Sequence, residues 1–181
     1  MIYVFLANGC EEIEALTPVD VLRRAGCEVK TVGVGGKTIT GAHHIPITCD
    51  ITEGEAAYDG LEMVVLPGGM PGTTNLEASQ TVLSAVKYAA DKGIWVAAIC
   101  AAPSVLGHMG LLEGRNATCF PGFEKELAGA RATGEPVCVD GKWITARGMG
   151  VALEFSLKLA EVLRGMETAQ KLSESLQCPR Q

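Results

Sequence analysis

The residue of this sequence best placed to do chemistry is Cys100. It follows the uncharged apolar run 94–99, which comes directly after Gly93 and is typical of a strand buried on both faces. Two alanines and Pro103 come next, and proline suits the start of a helix because its missing N–H is not needed there. The spacing predicts a sharp strand-to-helix turn that presents Cys100 beside free backbone N–H groups, as a nucleophile elbow does. The alternative is a small buried core cysteine.

The start of a helix favours a thiolate, so the sequence predicts a lowered pKa for Cys100. Loops that follow parallel strands converge at one edge of an open α/β sheet, which should bring Cys100 to Glu14 and the Gly68–Gly69 pair. A carboxyl beside an anionic sulfur should hold a proton and could act as a general acid or base. The N–H groups of Gly69 and Ala101 could hold an oxyanion. Alternatively, Glu14 is a surface residue that matches a helix dipole, and the glycines form a plain turn.

Hydrophobic periodicity predicts strands and helices in alternation. The predicted strands are 2–7, 28–34, 63–66, 94–99 and a short strand at 117–119, with a hairpin of 137–139 and 143–145. The predicted helices are one that opens at Glu11, then 81–92, 105–109, 151–164 and 167–176. The pattern predicts an α/β sandwich of three layers with a mostly parallel sheet, in a single domain over 1–181.

Some local features are less regular. Pro18 must kink the first helix or begin its regular part, with Thr17 as a possible cap. The segment 39–59 is expected to form edge strands or an irregular excursion. In the helix at 151–164, Leu153, Leu157 and Leu163 are expected to face the core.

Composition limits the partners. The 181 residues are 48% hydrophobic and carry a net charge of −6, which argues against disorder, nucleic acid and anionic membranes. The apolar runs are too short for a membrane span, and the first residues lack the basic flank of a signal peptide. Seven cysteines without C-x-x-C spacing predict reduced thiols in the cytoplasm.

We expect no metal and no cofactor. The three histidines form no ligand pattern with paired cysteines. The stretch 33–38 looks superficially like a phosphate loop, but Thr31 stands where that loop needs a glycine.

Taken together, these motifs closely resemble the ThiJ/PfpI superfamily, in its branch of Parkinson's-associated protein deglycases. The matching segments span nearly the whole chain in the expected order: Gly9-Cys-Glu-Glu-Ile-Glu14, Thr17-Pro-Val-Asp20, Arg23-Arg-Ala-Gly26, Val65-Leu-Pro-Gly-Gly69, Ala97-Ala-Ile-Cys-Ala-Ala-Pro103, Thr145-Ala-Arg-Gly148 and Glu154-Phe155. The resemblance implies a flavodoxin-like sandwich of the class I glutamine amidotransferase type and a homodimer. It also implies Cys100 as the reactive cysteine and Glu14 as its carboxyl partner. Amidotransferase activity itself would need a His-x-Glu pair near the chain end, which this sequence lacks.

The resemblance also implies cofactor-free glyoxalase or deglycase chemistry on a small carbonyl substrate, a reactive α-oxoaldehyde. Cys100 would attack the aldehyde carbon, and Glu14 would move the proton for an enediol rearrangement. The alternative is a redox-sensing, chaperone-like protective protein whose Cys100 oxidises to a sulfinate. The sequence does not separate these functions, because both need the same activated cysteine.

The sequence departs from the family at one position. Many members have a histidine before a proline in the loop after the next strand, and Phe120 stands there in this chain. A Cys–His dyad and peptidase activity are therefore unsupported, although His43 or His44 could reach the site from a dimer partner. Cys119 is either a resolving thiol for oxidised Cys100 or a simple buried cysteine. The candidate walls of the pocket are Cys10, Phe120, Arg147 and 70–74.

Overall fold

Strands alternate with helices from the first residues of the computed structural model, which describes residues 1–178. The strands are β1 (Ile2–Leu6), β2 (Val29–Gly33), β3 (Thr38–Thr40), β4 (Pro46–Thr48), β5 (Ile51–Thr52), β6 (Met63–Leu66), β7 (Trp95–Ile99), β8 (Asn116–Ala117), β9 (Arg131–Ala132), β10 (Val137–Asp140) and β11 (Trp143–Ala146). The helices are α1 (Glu12–Arg24), α2 (Gly72–Ala78), α3 (Gln80–Lys92), α4 (Pro103–His108), α5 (Ala152–Arg164) and α6 (Met166–Ser175). Short 3₁₀ turns lie at Glu53–Glu55, Glu124–Leu127 and Met149–Val151.

Seven of the strands form one sheet in the order β10-β11-β7-β6-β1-β2-β5. Five neighbouring pairs are parallel, and the hairpin β10–β11 adds an antiparallel pair at one edge. This is the flavodoxin-like α/β fold that the sequence predicts. Two short two-stranded pairs, β3–β4 and β8–β9, lie outside the main sheet.

The central strands are buried on both faces, which explains why they are continuously apolar. In β1, Ile2 and Val4 contribute to one hydrophobic core, and Tyr3 and Phe5 contribute to the other. Successive side chains of a strand point to opposite faces, so one strand supplies both cores. The first core includes residues of α1, α5 and α6, and the second includes residues of α2, α3 and α4.

The strand order positions the candidate site. β1 is hydrogen-bonded to β2 on one side and to β6 on the other, so the chain moves outward from β1 in both directions. Such a reversal opens a crevice at the carboxyl ends of the strands, where ligands bind in open α/β folds. The loops after β1, β6 and β7 carry the chain to Glu14, the Gly68–Gly69 pair and Cys100.

Several local predictions need correction. Thr17 is not a cap: α1 runs through Pro18, and Glu11 is its N-cap residue, accepting a hydrogen bond from the Ile13 N–H at 3.1 Å. A carboxylate at the N-cap supplies the acceptor that the prediction assigned to Thr17. The predicted strand at 117–119 lies at Asn116–Ala117 instead.

The inward face of α5 was also predicted wrongly in part. Leu153 is 37% exposed, whereas Phe155 and Leu159 are fully buried in the core. Leu157 and Leu163 are partly buried and pack against that core. The remaining segment, 39–59, forms the β3–β4 hairpin, β5 and a 3₁₀ turn, which agrees with the expected edge strands. No helix in the described part of the chain is long and apolar enough to span a membrane.

Candidate active site

Cys100 lies on a strained turn between β7 and α4. Its φ of 65° is in the left-handed region, which is uncommon for a residue other than glycine. Two backbone hydrogen bonds hold the turn: the Cys100 N–H donates to the Ala146 carbonyl at 2.9 Å, and the Phe120 N–H donates to the Cys100 carbonyl at 2.8 Å. Pro103 begins α4, as predicted. The thiol, half-buried, is thus fixed at the crevice by three segments of the chain.

Glu14 reaches this thiol from the first turns of α1. Its side chain is 1% exposed, and its Oε2 accepts a hydrogen bond from the Gly68 N–H at 3.0 Å. A methyl group added at Gly68 would lie 2.6 Å from the Cys100 Cβ and 2.8 Å from the Glu14 Oε2. Only glycine leaves room for the carboxyl and the cysteine at this point. The structure therefore brings Glu14, Gly68 and Cys100 into one contact.

The two titratable groups of this contact act on each other. Burial raises the pKa of Glu14 to about 7, against hydrogen bonds from the Cys100 thiol and the Gly68 N–H. Burial and the Glu14 carboxylate together raise the pKa of Cys100 to about 12. The prediction of a lowered Cys100 pKa is wrong, because a buried carboxylate opposes the formation of a second negative charge beside it. Near neutral pH the thiol therefore keeps its proton, and the carboxyl beside it is about half protonated.

Two backbone N–H groups point at the sulfur. Those of Gly69 and Ala101 hydrogen-bond to Cys100, and both act to lower its pKa without outweighing burial. Gly69 adopts a φ of 86° and packs directly against the Glu11 backbone N–H, so a side chain at Gly69 would be excluded. These donors lie where negative charge on the sulfur, or on an oxygen bonded next to it, would develop.

The predicted pocket walls divide into residues that reach the site and residues that do not. Phe120 is 48% exposed, and its ring lies against Gly148, which is itself next to the Glu14 carboxyl. Cys10 is fully buried in the core and presents no surface to a ligand. Arg147 is exposed, and only its backbone N–H, donating to the Pro136 carbonyl at 3.1 Å, is engaged among the described residues.

Two further residues of the loop that leads from β11 to α5 belong to the site. The Met149 backbone N–H acts to lower the pKa of Glu14, and a methyl group added at Gly148 would lie 3.3 Å from the Phe120 ring and 3.8 Å from the Glu14 Oε1. The sequence predicts Arg147 of this segment as a pocket wall, but it marks Gly148 only as part of a family motif. The glycine at its end was the available signal for a close approach of the backbone.

Of the predicted wall 70–74, Met70 follows Gly69 and is 54% exposed, whereas residues 72–74 form the start of α2 and are not a loop. Cys119 is buried, and burial raises the pKa of its thiol to about 11. Within this chain His43 does not contact Cys100, because its ring is bonded to Glu12 at 2.9 Å.

One group of side chains has the geometry to hold a metal ion within residues 1–178. The ligand atoms of Glu11, Glu12 and His43 all lie within 4.8 Å of one another. The imidazole Nδ1 is already 2.9 Å from the Glu12 carboxylate and 3.4 Å from that of Glu11. We interpret the group as an ion-paired cluster that joins α1 to the β3–β4 hairpin.

A flavodoxin-like sheet with a cysteine on a nucleophile elbow and a buried carboxyl against its thiol defines a class of cysteine-dependent α/β proteins. The sequence profile described as the DJ-1/PfpI family matches residues 1–162. This chain belongs to the DJ-1/PfpI family.

Individual relatives agree with this assignment. The chain is 38% identical over 176 residues to Protein dj-1beta of Drosophila melanogaster, which covers 96% of this chain and 94% of that protein. It is 31% identical over 143 residues to Deglycase PH1704 of Pyrococcus horikoshii, covering 78% of this chain and 86% of that protein. The crystal structure of Drosophila DJ-1beta superposes with a TM-score of 0.93 at 36% identity, over 99% of this chain and 98% of the other. A structure of oxidized Toxoplasma gondii DJ-1 has a TM-score of 0.90 at 34% identity, over 97% and 96% of the two chains.

Proposed function

We propose that this protein is a cofactor-independent cysteine enzyme that acts on reactive α-oxoaldehydes or their adducts, as a glyoxalase III or deglycase does. The observation that carries the proposal is the contact of the Glu14 carboxyl with the Cys100 thiol beneath two backbone N–H groups. A nucleophile, an adjacent base and oxyanion donors are the parts that such a reaction requires.

The first step adds the thiol to the aldehyde. With methylglyoxal, the Cys100 sulfur bonds to the aldehyde carbon while the thiol proton passes to the Glu14 carboxylate. A thiol with a pKa of about 12 is a weak nucleophile alone, so the adjacent base activates it. The aldehyde oxygen gains negative charge near the Gly69 and Ala101 N–H groups and takes the proton from Glu14, which gives a hemithioacetal and restores the carboxylate.

The next steps move a proton between the two substrate carbons. Glu14 removes the proton from the former aldehyde carbon to form an enediol, and the neighbouring carbon is then protonated. This converts the hemithioacetal to a thioester of the hydroxy acid, with no net change in electrons. Water then hydrolyses the thioester, which releases lactate and restores the Cys100 thiol. A carboxyl with a pKa of about 7 suits both directions of proton transfer at neutral pH.

The comparisons support a function of the kind found among DJ-1 proteins, and one matching relative is named a deglycase. The substrate is the part that we propose. The half-exposed Phe120 ring lies beside Gly148, near the Glu14 carboxyl, where it could contact a small carbonyl compound.

The test is lactate formation from methylglyoxal by the reduced protein. We expect turnover in the wild type and none above background in Cys100→Ala. Cys119→Ala is the matched control, because it removes a different cysteine, beside Phe120, and leaves the contact between Glu14 and Cys100 unchanged. Turnover that survives in Cys100→Ala, or no lactate from the wild type, would contradict the proposal for this substrate.

A second candidate function, a redox-responsive protective protein, is favoured by one observation. The N–H groups of Gly69 and Ala101 point at the half-buried sulfur, and a protonated Glu14 could donate to it as well. These donors would also bind the oxygens of a cysteine sulfinate. Suppression of client aggregation that depends on Cys100, in a protein without turnover, would favour this function.

We further propose a homodimer in the cytoplasm. The seven cysteines are free thiols, which suits a reducing compartment. Ile13 and Leu16 of α1 are half-exposed apolar side chains, and we propose that they contribute to the contact between subunits. Sedimentation equilibrium of the wild type beside Leu16→Glu tests the dimer.

A further inference from the structure

His108 joins three elements of the fold through one imidazole ring. It ends α4, at the opposite end of the helix from Cys100. Its Nδ1 lies 2.6 Å from Oε1 of Glu77 in α2, and its Nε2 lies 2.9 Å from Oε2 of Glu126 in the 3₁₀ turn at Glu124–Leu127. Both ring nitrogens are therefore engaged, by carboxylates from two different segments.

Each of the three joined segments continues into a part of the candidate active site. α2 follows the loop that carries the Gly69 N–H, and α4 follows Cys100 and Ala101. The 3₁₀ turn follows Phe120, whose N–H is bonded to the Cys100 carbonyl. A change in the spacing of these segments would reach the two N–H donors and the aromatic residue at the mouth of the site.

The contact between α4 and the 3₁₀ turn is also close at the backbone. A methyl group added at Gly107 would overlap the Glu126 carbonyl oxygen and would lie 2.7 Å from the Leu127 Cα. The Leu127 side chain is buried. The two backbones are in contact beside His108, so the bond from His108 to Glu126 adds to an interface that is already tightly packed.

We propose that His108 is a positioning residue, whose doubly bonded ring holds α2 and the segment 120–127 against α4 and so keeps the Gly69 N–H and Phe120 in place around Cys100. The kinetic consequence of this role rests on the proposed function. The structural consequence, the ordering of segment 120–127, does not.

The positioning should depend on the protonation of His108. Only the imidazolium ion donates from both nitrogens, and the neutral ring donates from one. The charged groups that act on the ring are Glu126 and Glu77, and their hydrogen bonds raise its pKa. Both bonds are therefore made at low pH, and one carboxylate loses its donor as pH rises through the raised pKa.

The first test is hydrogen exchange by mass spectrometry from pH 6 to pH 9, corrected for intrinsic exchange. In the wild type we expect protection of the peptides over 120–127 or of those over α2, according to which carboxylate loses its donor, to fall about two- to fivefold through one ionisation, the size expected for partly exposed charged hydrogen bonds. His108→Gln should lack this step. Glu126→Gln should lack it in 120–127, while Glu77→Gln should change the peptide over α2.

His43→Gln is the matched control, since His43 is also an exposed histidine bonded to glutamates, but on the other side of the sheet. It should keep the step in protection that the wild type shows. A step that persists in His108→Gln, or a wild type without any step, would overturn the proposal.

The second test measures the site itself. Iodoacetamide alkylates Cys100, and we compare its rate in His108→Gln with its rate in the wild type. The ratio of the two rates should change about two- to fivefold between pH 6 and pH 9. The KM for methylglyoxal should rise by a similar factor while kcat changes less. A ratio of alkylation rates that is constant with pH would overturn the link to the site. Because alkylation needs no turnover, a wild type that forms no lactate would contradict the proposed function alone.

Discussion

Glu12 and Glu14 lie two residues apart on α1, and both side chains are buried, yet their carboxyls differ in charge behaviour. Burial acts to raise the pKa of each. At Glu12 the ring and backbone N–H of His43 outweigh burial, and the pKa falls below its usual range. At Glu14 the hydrogen bonds from Cys100 and Gly68 do not outweigh it, and the pKa rises to about 7.

The difference has two causes: the Glu14 carboxyl lies deeper than that of Glu12, which is close to the surface under the exposed His43 ring, and the His43 donors outweigh the smaller cost of burial at Glu12. Glu12 is charged near neutral pH and fixes the loop of the β3–β4 hairpin to α1, since its carboxylate accepts a hydrogen bond from the His43 backbone N–H at 2.8 Å and lies 2.9 Å from the His43 ring. Glu14 has fewer donors and faces a thiol, so it keeps a proton that can move. One helix therefore carries a structural anchor and a candidate acid–base group within a single turn.

Removing each carboxyl in turn should separate these roles most strongly. Glu14→Gln should lower kcat/KM for methylglyoxal by about 10²- to 10⁴-fold, the usual contribution of a positioned acid–base group. Glu12→Gln should keep kcat/KM within about tenfold, because it alters an anchor away from the sulfur. Lactate assays on both variants, with circular dichroism to verify folding, measure this. Equal losses of kcat/KM in Glu14→Gln and Glu12→Gln would contradict the difference in role between the two carboxyls.

The glycines that face the two carboxyls allow a second comparison. The methyl group added by Gly68→Ala would overlap Cys100 and Glu14, and the one added by Gly41→Ala would overlap the Glu12 carboxyl. Each should reduce the free energy of unfolding by about 1–3 kcal/mol, the usual cost of overpacking. Only Gly68→Ala should also reduce kcat, by about tenfold or more. Urea titrations beside kinetics would refute this if Gly41→Ala lost activity to the same extent.

The opposite pKa shifts predict opposite effects of pH on stability. The pKa of Glu14 is raised from 4.5 to about 7, so the folded protein binds a proton that the unfolded chain releases, and this stabilisation is lost as pH rises across that window. Relative to the wild type, Glu14→Gln should gain about 3 kcal/mol between pH 4.5 and pH 7. The lowered pKa of Glu12 gives stability that is lost below its ordinary value of 4.5. Free energies of unfolding measured from pH 3 to pH 8 for the wild type, Glu14→Gln and Glu12→Gln should show both effects of pH. If Glu14→Gln and Glu12→Gln depended on pH in the same way, this prediction would be contradicted.

The smallest expected effect comes from giving Glu14 one more donor. Phe120→His places a ring N–H beside Gly148, next to the Glu14 carboxyl. We expect kcat/KM to change by less than about fivefold, with the rising limb of the pH–rate profile moved below pH 7. The profile of Phe120→Leu, which adds no donor, is the comparison. A limb that stays in place in the histidine variant would show that the added ring does not reach Glu14.

The sequence allowed the architecture and the central contact to be predicted, because both follow from short-range patterns. The apolar run before Cys100 marks a buried strand, and Pro103 marks the helix that follows. The site then follows from the rule that parallel strands end at one edge of the sheet. The direction of the Cys100 pKa did not follow, because it depends on how deeply the Glu14 carboxylate of α1 is buried beside the sulfur.

Features that join distant segments could not be predicted either. The bond between Glu12 and His43 spans 31 positions of the chain, as does that between Glu77 and His108. No local periodicity reports such a pairing. Leu153 was assigned inward because leucine is apolar, but its neighbours on α5 fill the core, and it lies at the surface.

The left-handed conformation of Cys100 has a consequence for protein engineering. Its φ of 65° costs a residue other than glycine about 1–2 kcal/mol, which glycine would not lose. A redesign that ranks sequences by thermostability alone would therefore select glycine at position 100 and delete the one sulfur on which the site depends. This chain carries the less stable residue there, which fits a position that serves the chemistry of the thiol and not folding.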